Sequence, residues 1–123
     1  MNHTCVFCKS DMEKILESDF SIAFYDRFPV SNGHILIIPK EHYETYFDLP
    51  LEVRNDMLSL LDQMKLKLDE KYKPSGYNIG INSGASAGQT VFHCHIHLIP
   101  RYDGDMDDPR GGVRGVKPDK QKY

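Results

Sequence analysis

Residues 91–100 read VFHCHIHLIP, and from His93 onward the run changes polarity at every position. Successive side chains of an extended strand point to opposite faces. The alternation therefore predicts a strand with His93, His95 and His97 on one face and Cys94, Ile96 and Leu98 on the other. Three neighbouring imidazoles make poor packing material, because each needs hydrogen-bond partners and protonated neighbours repel. A chance row on a wet surface is at odds with the apolar residues that flank it. Two chemistries remain open. Imidazoles at i and i+2 can ligate a metal, but a catalytic metal would want a carboxylate nearby, and the first acid after the row is Asp103, beyond a proline. Alternatively, one neutral imidazole attacks phosphorus and later departs as a good leaving group, which requires one ring nitrogen pinned by a hydrogen bond.

Working outward, residues 83–90 (SGASAGQT) form a loop of small residues, and residues 77–82 (YNIGIN) alternate as a second strand. Upstream, Val53, Met57, Leu60, Leu61, Met64 and Leu68 recur at steps of three and four, which predicts one long helix over residues 51–72. Pro50 precedes it and Pro74-Ser75-Gly76 stops it. Residues 20–25 (FSIAFY) and 34–39 (HILIIP) are strand-forming. They are separated by Asp26-Arg27-Phe28-Pro29 and an Asn32-Gly33 turn, so they read as a hairpin. Strands with one dominant helix and an antiparallel sheet make an α+β domain. Beyond residue 100 the composition shifts to an acidic stretch (Asp103, Asp105, Asp107, Asp108) and then to a Gly- and base-rich one. The expectation there is an extended arm over residues 101–123, partly ordered by contact with another surface.

At 123 residues and 40% apolar content the chain suits a single domain with one core, spanning residues 1–123. Lys plus Arg number 15 against 18 Asp plus Glu, a net charge of −3, which argues against a nucleic-acid binder working by blanket phosphate neutralisation. The longest apolar run, residues 35–39, is far too short to span a bilayer, and the N-terminal residues lack a signal-like apolar region; a soluble, cytoplasmic protein without a membrane partner is expected. Cys5, Cys8 and Cys94 are too few and too odd in number for a disulfide framework. Cys94, on the apolar side of its strand, reads as a small buried hydrophobe.

The run His93-Cys94-His95-Ile96-His97-Leu98-Ile99 resembles the signature of the histidine-triad (HIT) family, and Gly88-Gln89-Thr90-Val91 resembles its lead-in. The likeness continues through residues 21–26, 33–39 and 79–82. It implies an antiparallel sheet of about five strands with one long and one short helix, in a homodimer that hydrolyses or transfers nucleoside monophosphate groups. By the resemblance, His95 is the nucleophile that forms a nucleotidyl-histidine intermediate, and His97 donates to the phosphoryl group and the bridging oxygen. His34 supports the triad from behind, and Asp26 accepts from the ribose hydroxyls, although Asp26 also suits a turn cap before Pro29. Asn82 and Thr90 match positions that hold the phosphate, Gln89 belongs to the same nucleotide-binding loop, and free N–H groups of residues 88–90 complete an anion cradle.

Cys5-x-x-Cys8 supplies two thiolates, and a structural zinc needs two further ligands. The resemblance to bacterial-type members implies His42 and His93 as the other two, a zinc staple that ties the N-terminal segment to the sheet. The competing reading, a thioredoxin-like redox pair, wants a strand leading directly into a helix, which the N-terminus does not offer. The expected substrate is a purine nucleotide, in first place a dinucleoside polyphosphate such as diadenosine tetraphosphate. A nucleoside phosphoramidate is the alternative, and a nucleotide-binding regulatory protein with little turnover is the rival reading. Arg110, Arg114 and Lys117 of the arm would favour a longer polyphosphate if they reach the phosphate chain.

Overall fold

A computed structural model describes residues 5–8 and 12–123 of the chain. Five strands, β1 (Leu16–Glu17), β2 (Ser21–Tyr25), β3 (Ile35–Pro39), β4 (Gly76–Gly80) and β5 (Ile96–Arg101), form one antiparallel sheet in the order β1-β2-β3-β5-β4. β3 lies at the centre and every one of its residues is buried, which is why its sequence, ILIIP, does not alternate. The expected hairpin is the β2–β3 pair, with Tyr25 opposite Ile35.

The helix α1 (Leu51–Tyr72) has the bounds its periodicity predicted, and Val53, Met57, Leu60, Leu61, Met64 and Leu68 form its buried stripe. Pro50 precedes the first turn, where a missing N–H costs nothing. Lys73 closes the helix in the left-handed conformation (φ 52°), its N–H bonded to the Asp69 carbonyl, and Pro74 prevents continuation. The stripe packs on Ala23, Ile35, Ile37, Cys94, Ile96 and Leu98. Each large side chain so buried contributes about 2 kcal/mol. Asp56, on the same helix, ties it to the β1–β2 turn by accepting from Ser18 Oγ (2.5 Å), Ser21 Oγ (2.7 Å) and the Phe20 N–H (3.1 Å).

Among the described residues, the opposite face of the sheet carries a small apolar cluster, Phe24, Leu36 and Ile38 with Phe7, Met12 and Ile22. Across the strands Phe24 pairs with Leu36 and Leu36 with His97, while Gly80 flanks His97 on its other side. Directly opposed residues share a face, so one row of this open face runs Phe24, Leu36, His97 and Gly80.

Three local expectations differ from the structure. The strand over residues 91–100 enters the ladder only at Ile96, because the Cys94 N–H bonds to the Tyr43 carbonyl (2.6 Å) rather than to β3. The alternation survives, with Cys94 in the helix-side core and the histidines on the other side, but the histidine row is itself covered: His93 is fully buried and His95 is 8% exposed. The short helical elements are 3-10 turns, Tyr46–Asp48, Ala85–Ala87, Gly112–Val116 and Pro118–Lys120. The C-terminal arm is accordingly curled rather than extended. Gly111 (φ 88°) turns the chain so tightly that a Cβ there would collide with the Gln121 backbone, and Arg114 stacks on the Tyr123 ring at 4.8 Å.

Candidate metal centre and nucleotide cleft

Cys5, Cys8, His42 and His93 converge so that their four ligand atoms all lie within 4.8 Å of one another. Cys8 Sγ is 3.2 Å from His42 Nδ1, and both Cys5 Sγ and Cys8 Sγ are 3.4 Å from His93 Nδ1. A tetrahedral zinc with ordinary Zn–S and Zn–N bonds sets its sulfur and nitrogen ligands about 3.5 Å apart. Hydrogen bonding alone fits worse, because His93 Nδ1 has one lone pair and two sulfurs face it. His93 donates through Nε2–H to the Pro39 carbonyl (2.9 Å), which leaves Nδ1 as the bare, ligating nitrogen. Burial holds the His93 imidazole below its ordinary pKa, which favours the neutral ligating form. The donor set therefore fits zinc, which would act there as a structural staple between residues 5–8 and the sheet.

The residues between the two cysteines form one wall of a cleft of about 660 Å³. Val6, Phe7, Met12, Phe24, Phe28 and Leu36 line its apolar part; Asp26, Arg27, Asn82, Thr90, His95 and His97 supply the polar part. Phe7 meets His93, His95 and Phe24 edge-on, with centroids 5.9, 5.3 and 5.6 Å away. An apolar slot ending in imidazoles and hydrogen-bonding side chains suits a flat base joined to a phosphoryl group. The sequence reading overlooked this apolar wall. The signal was available in the hairpin register, which sets Phe24 and Leu36 in one row with His97, and in Val6-Phe7 between the cysteines.

His95 donates from Nδ1 to the His93 carbonyl at 2.8 Å, so its Nε2 carries the lone pair. His97 Nδ1 lies 3.0 Å from His34 Nε2, and the rings of His95 and His97 are 5.1 Å apart. Burial, followed by the neighbouring His95 and His34 and only partly offset by Asp26, pushes the His97 imidazole down to about 4. Burial likewise lowers His34, against the pull of Asp26. At neutral pH His97 is therefore uncharged and keeps a single ring proton.

Of the expected nucleotide-binding residues, Asp26, Asn82 and Thr90 line the cleft and Gln89 does not. Gln89 is 3% exposed and its amide is spent on the loop: Oε1 accepts from the Gly84 N–H (2.8 Å), and Nε2 donates to the Glu44 (2.6 Å) and Val91 (3.1 Å) carbonyls. The expected cradle of free N–H groups is also narrower, because the Gly88 and Gln89 amides bond to the Ala85 and Gly84 carbonyls. Asp26 serves the turn as well as the cleft, since its Oδ1 accepts from the Phe28 N–H at 2.9 Å. None of Arg110, Arg114 and Lys117 lines the cleft. Cys94 is buried, its thiol pushed up to about 11 chiefly by burial, which suits an inert packing residue.

Residues 9–104 match the HIT domain model. The chain belongs to the HIT family. This HIT protein is 38% identical over 110 residues to the adenylylsulfatase HINT3 of Arabidopsis thaliana, covering 85% of this chain and 56% of that protein. It is 37% identical over 109 residues to the adenosine 5'-monophosphoramidase HNT1 of Candida albicans, covering 81% and 72%. Among solved structures it resembles a zinc-bound histidine triad family protein from Mycobacterium smegmatis, with a TM-score of 0.78 and 34% identity over 85% of this chain and 80% of that one. Among the described residues no helix is long and apolar enough to cross a membrane.

Proposed function

We propose that this HIT protein cleaves adenosine 5'-phosphate derivatives at the α-phosphorus, transferring the nucleotidyl group first to His95 and then to water. The observation that carries the reading is the hydrogen bond from His95 Nδ1 to the His93 carbonyl, which leaves Nε2 as a nucleophile beside the cleft. In the first step the Nε2 lone pair forms a bond to phosphorus, the bond from phosphorus to the leaving group breaks with its electron pair on the leaving atom, and the neutral His97 side chain hydrogen-bonds the departing group, which takes any proton it needs from solvent. In the second step water attacks phosphorus, the bond from phosphorus to His95 Nε2 breaks with its electron pair on the nitrogen, the proton of water passes to solvent, and the monophosphate and free His95 are released. Asp26 would engage the ribose, Asn82 and Thr90 the phosphoryl oxygens, and the apolar wall the base. Gln89 would hold the loop from within, and His34 would support His97. His93 would be reserved for the zinc with Cys5, Cys8 and His42, whose thiolates suit a reducing, cytoplasmic setting.

Small leaving groups such as an amine or sulfate suit the cleft of one chain, and the names of the two relatives support that class. A second reading, a dinucleoside polyphosphate such as diadenosine tetraphosphate, is favoured by one observation. The basic arm packs beside β4, with Gly112 next to Asn78, and the edge strand β4 presents Ile79, which is 50% exposed. A homodimer formed along that edge would bring Arg110 and Lys117 of one copy toward the other.

The test is denaturing mass spectrometry after brief incubation with adenosine 5'-phosphoramidate, adenylyl sulfate or diadenosine tetraphosphate, with product release followed in parallel. An adenylyl adduct on His95, lost in His95→Ala together with turnover, is expected, and the relative rates choose the leaving group. Full turnover by His95→Ala would remove the nucleophile; nucleotide binding without turnover of any substrate would make the protein a binding module.

A further inference from the structure

A second cavity, of about 560 Å³, lies alongside the nucleotide cleft, and Met12, Phe24 and Arg27 line both. Met12 and Phe24 belong to the apolar wall, so the two cavities meet at the base end of the cleft rather than at its imidazoles. Among the described residues, the charged groups of this groove are Lys14, Arg27 and Lys71 against the carboxylate of Glu13, a cationic lining in a chain whose net charge is −3. Lys14 shares its charge with Glu17 at 3.3 Å. The other two cations have no carboxylate partner. The Arg27 guanidinium makes no hydrogen bond or ion pair among the described residues, and Lys71 is held by phenols: its Nζ donates to Tyr25 Oη at 3.3 Å and stands 5.6 and 5.3 Å from the Tyr25 and Tyr72 ring centroids. Tyr72 donates to the same Tyr25 oxygen at 3.2 Å. A hydroxyl oxygen has two lone pairs and both are now used, so Tyr25 keeps its own O–H to donate at the groove it lines. Guanidinium, ammonium and hydroxyl all donate there, a set that suits an anion with several acceptor oxygens.

With the base against the apolar wall and the ribose at Asp26, the groove adjoins the nucleoside rather than the leaving group. Arg27 directly follows Asp26 in the chain, and both line the cleft. In dinucleotide sites a carboxylate takes a free ribose hydroxyl and a nearby Arg takes a phosphate ester in its place. Here the chain supplies the two side by side. We infer that the groove is a subsite for a second phosphate, carried on the 2' or 3' oxygen of the ribose, with Arg27 and Lys71 as its specificity-determining residues. A phosphate monoester brings about −2 charge and three acceptor oxygens, one for each of Arg27, Lys71 and the Tyr25 hydroxyl. Asp26 then accepts from the ribose hydroxyl that stays free. The substrate class is thereby narrowed to a nucleoside 5'-phosphate derivative that also carries a ribose phosphate. The inference deepens the reading under Proposed function and rests on its placement of base and ribose.

Calorimetric titration of the zinc-loaded protein with adenosine 5'-monophosphate, adenosine 2',5'-bisphosphate and adenosine 3',5'-bisphosphate reads the subsite without turnover. One bisphosphate should bind about 10-fold more tightly than the monophosphate, and the isomer that does so identifies the ribose oxygen. The readout in each variant is the ratio of the two affinities, so an effect on the monophosphate itself does not enter. In Arg27→Gln the ratio should fall to about one, and in Arg27→Glu below it; Lys71→Gln should lose part of the preference. Amide spectra of the labelled protein should show the preferred bisphosphate shifting Tyr25 and Lys71, which line the groove and not the cleft, beyond anything the monophosphate does. Wild-type binding of both bisphosphates no tighter than the monophosphate, a ratio unchanged in Arg27→Gln, or extra shifts confined to Arg110 and Arg114 of the arm would overturn the inference. The two readings fail separately. Turnover of 5'-phosphate derivatives without any bisphosphate preference removes the subsite and leaves the proposed function, whereas a preference that depends on Arg27 in a protein that turns over no nucleotide removes the proposed function and leaves the subsite.

Discussion

Replacing His97 by Asn should convert a pH-dependent part of the stability into a pH-independent one. The folded protein holds the His97 imidazole at about 4, against 6.5 for the free group, mainly because burial penalises its charged form. The unfolded chain takes up a proton as pH falls through 6.5, whereas the folded chain does so only near 4. Between those values the unfolded state binds more protons, so the His97 contribution is intact above 6.5 and is lost progressively on acidification. The full window corresponds to about 3 kcal/mol, an upper figure because the side chain is 22% exposed. Acid also loosens thiolate ligation at the knuckle, so the quantity to measure is a difference. Urea unfolding of zinc-loaded wild type and His97→Asn, taken stepwise from neutrality to pH about 4, should show the wild type losing up to about 3 kcal/mol relative to the variant. A difference that stays constant across the range would refute the argument that His97 is held neutral by desolvation.

The metal centre and the Asp56 tie lead to two further expectations. Elemental analysis should find one equivalent of zinc per chain, and chelation should lower the thermal midpoint by about 4 °C or more for each kcal/mol of binding energy withdrawn, as circular dichroism would record; an unchanged midpoint after complete removal would show that the metal staples nothing. Asp56→Ala should cost about 2–3 kcal/mol in urea unfolding, because it strands the buried Ser21 hydroxyl and the Phe20 N–H, and a loss below about 0.5 kcal/mol would mean that the tie carries no load.

Much of this architecture was legible before any coordinates. The helix over residues 51–72 stood out because a stripe of six apolar residues at steps of three and four has no other regular solution. Alternation in residues 93–98 placed the histidines opposite Cys94, Ile96 and Leu98, and Cys94 does join Ile96 and Leu98 in the helix-side core even though His93 and His95 precede the paired strand. The HIT resemblance pointed to the metal set, and the four ligand atoms do converge. It also placed Gln89 in the nucleotide-binding loop, where an exposed amide and a buried one are written with the same letter. Only the approach of the Glu44 carbonyl shows that this amide is already spent. The arm read as extended because glycine and charge resemble a tail, whereas Gly111 supplies a left-handed turn that lets Gln121 fold back on it.

What the sequence determined by itself were properties set within a few residues: helix period, strand alternation, turn sites, and the supply of imidazoles and thiols. What tertiary structure decided was how those groups are spent. His93 meets Cys5 across 88 positions, His34 meets His97 across 63, and Gln89 meets Glu44 across 45. An imidazole is ligand, nucleophile or donor according to which of its nitrogens finds a partner, and here those partners are a carbonyl of Pro39, a carbonyl of His93 and a ring nitrogen of His34. Three neighbouring histidines thus meet three different sets of partners, because those hydrogen bonds form only when the folded chain brings distant groups together.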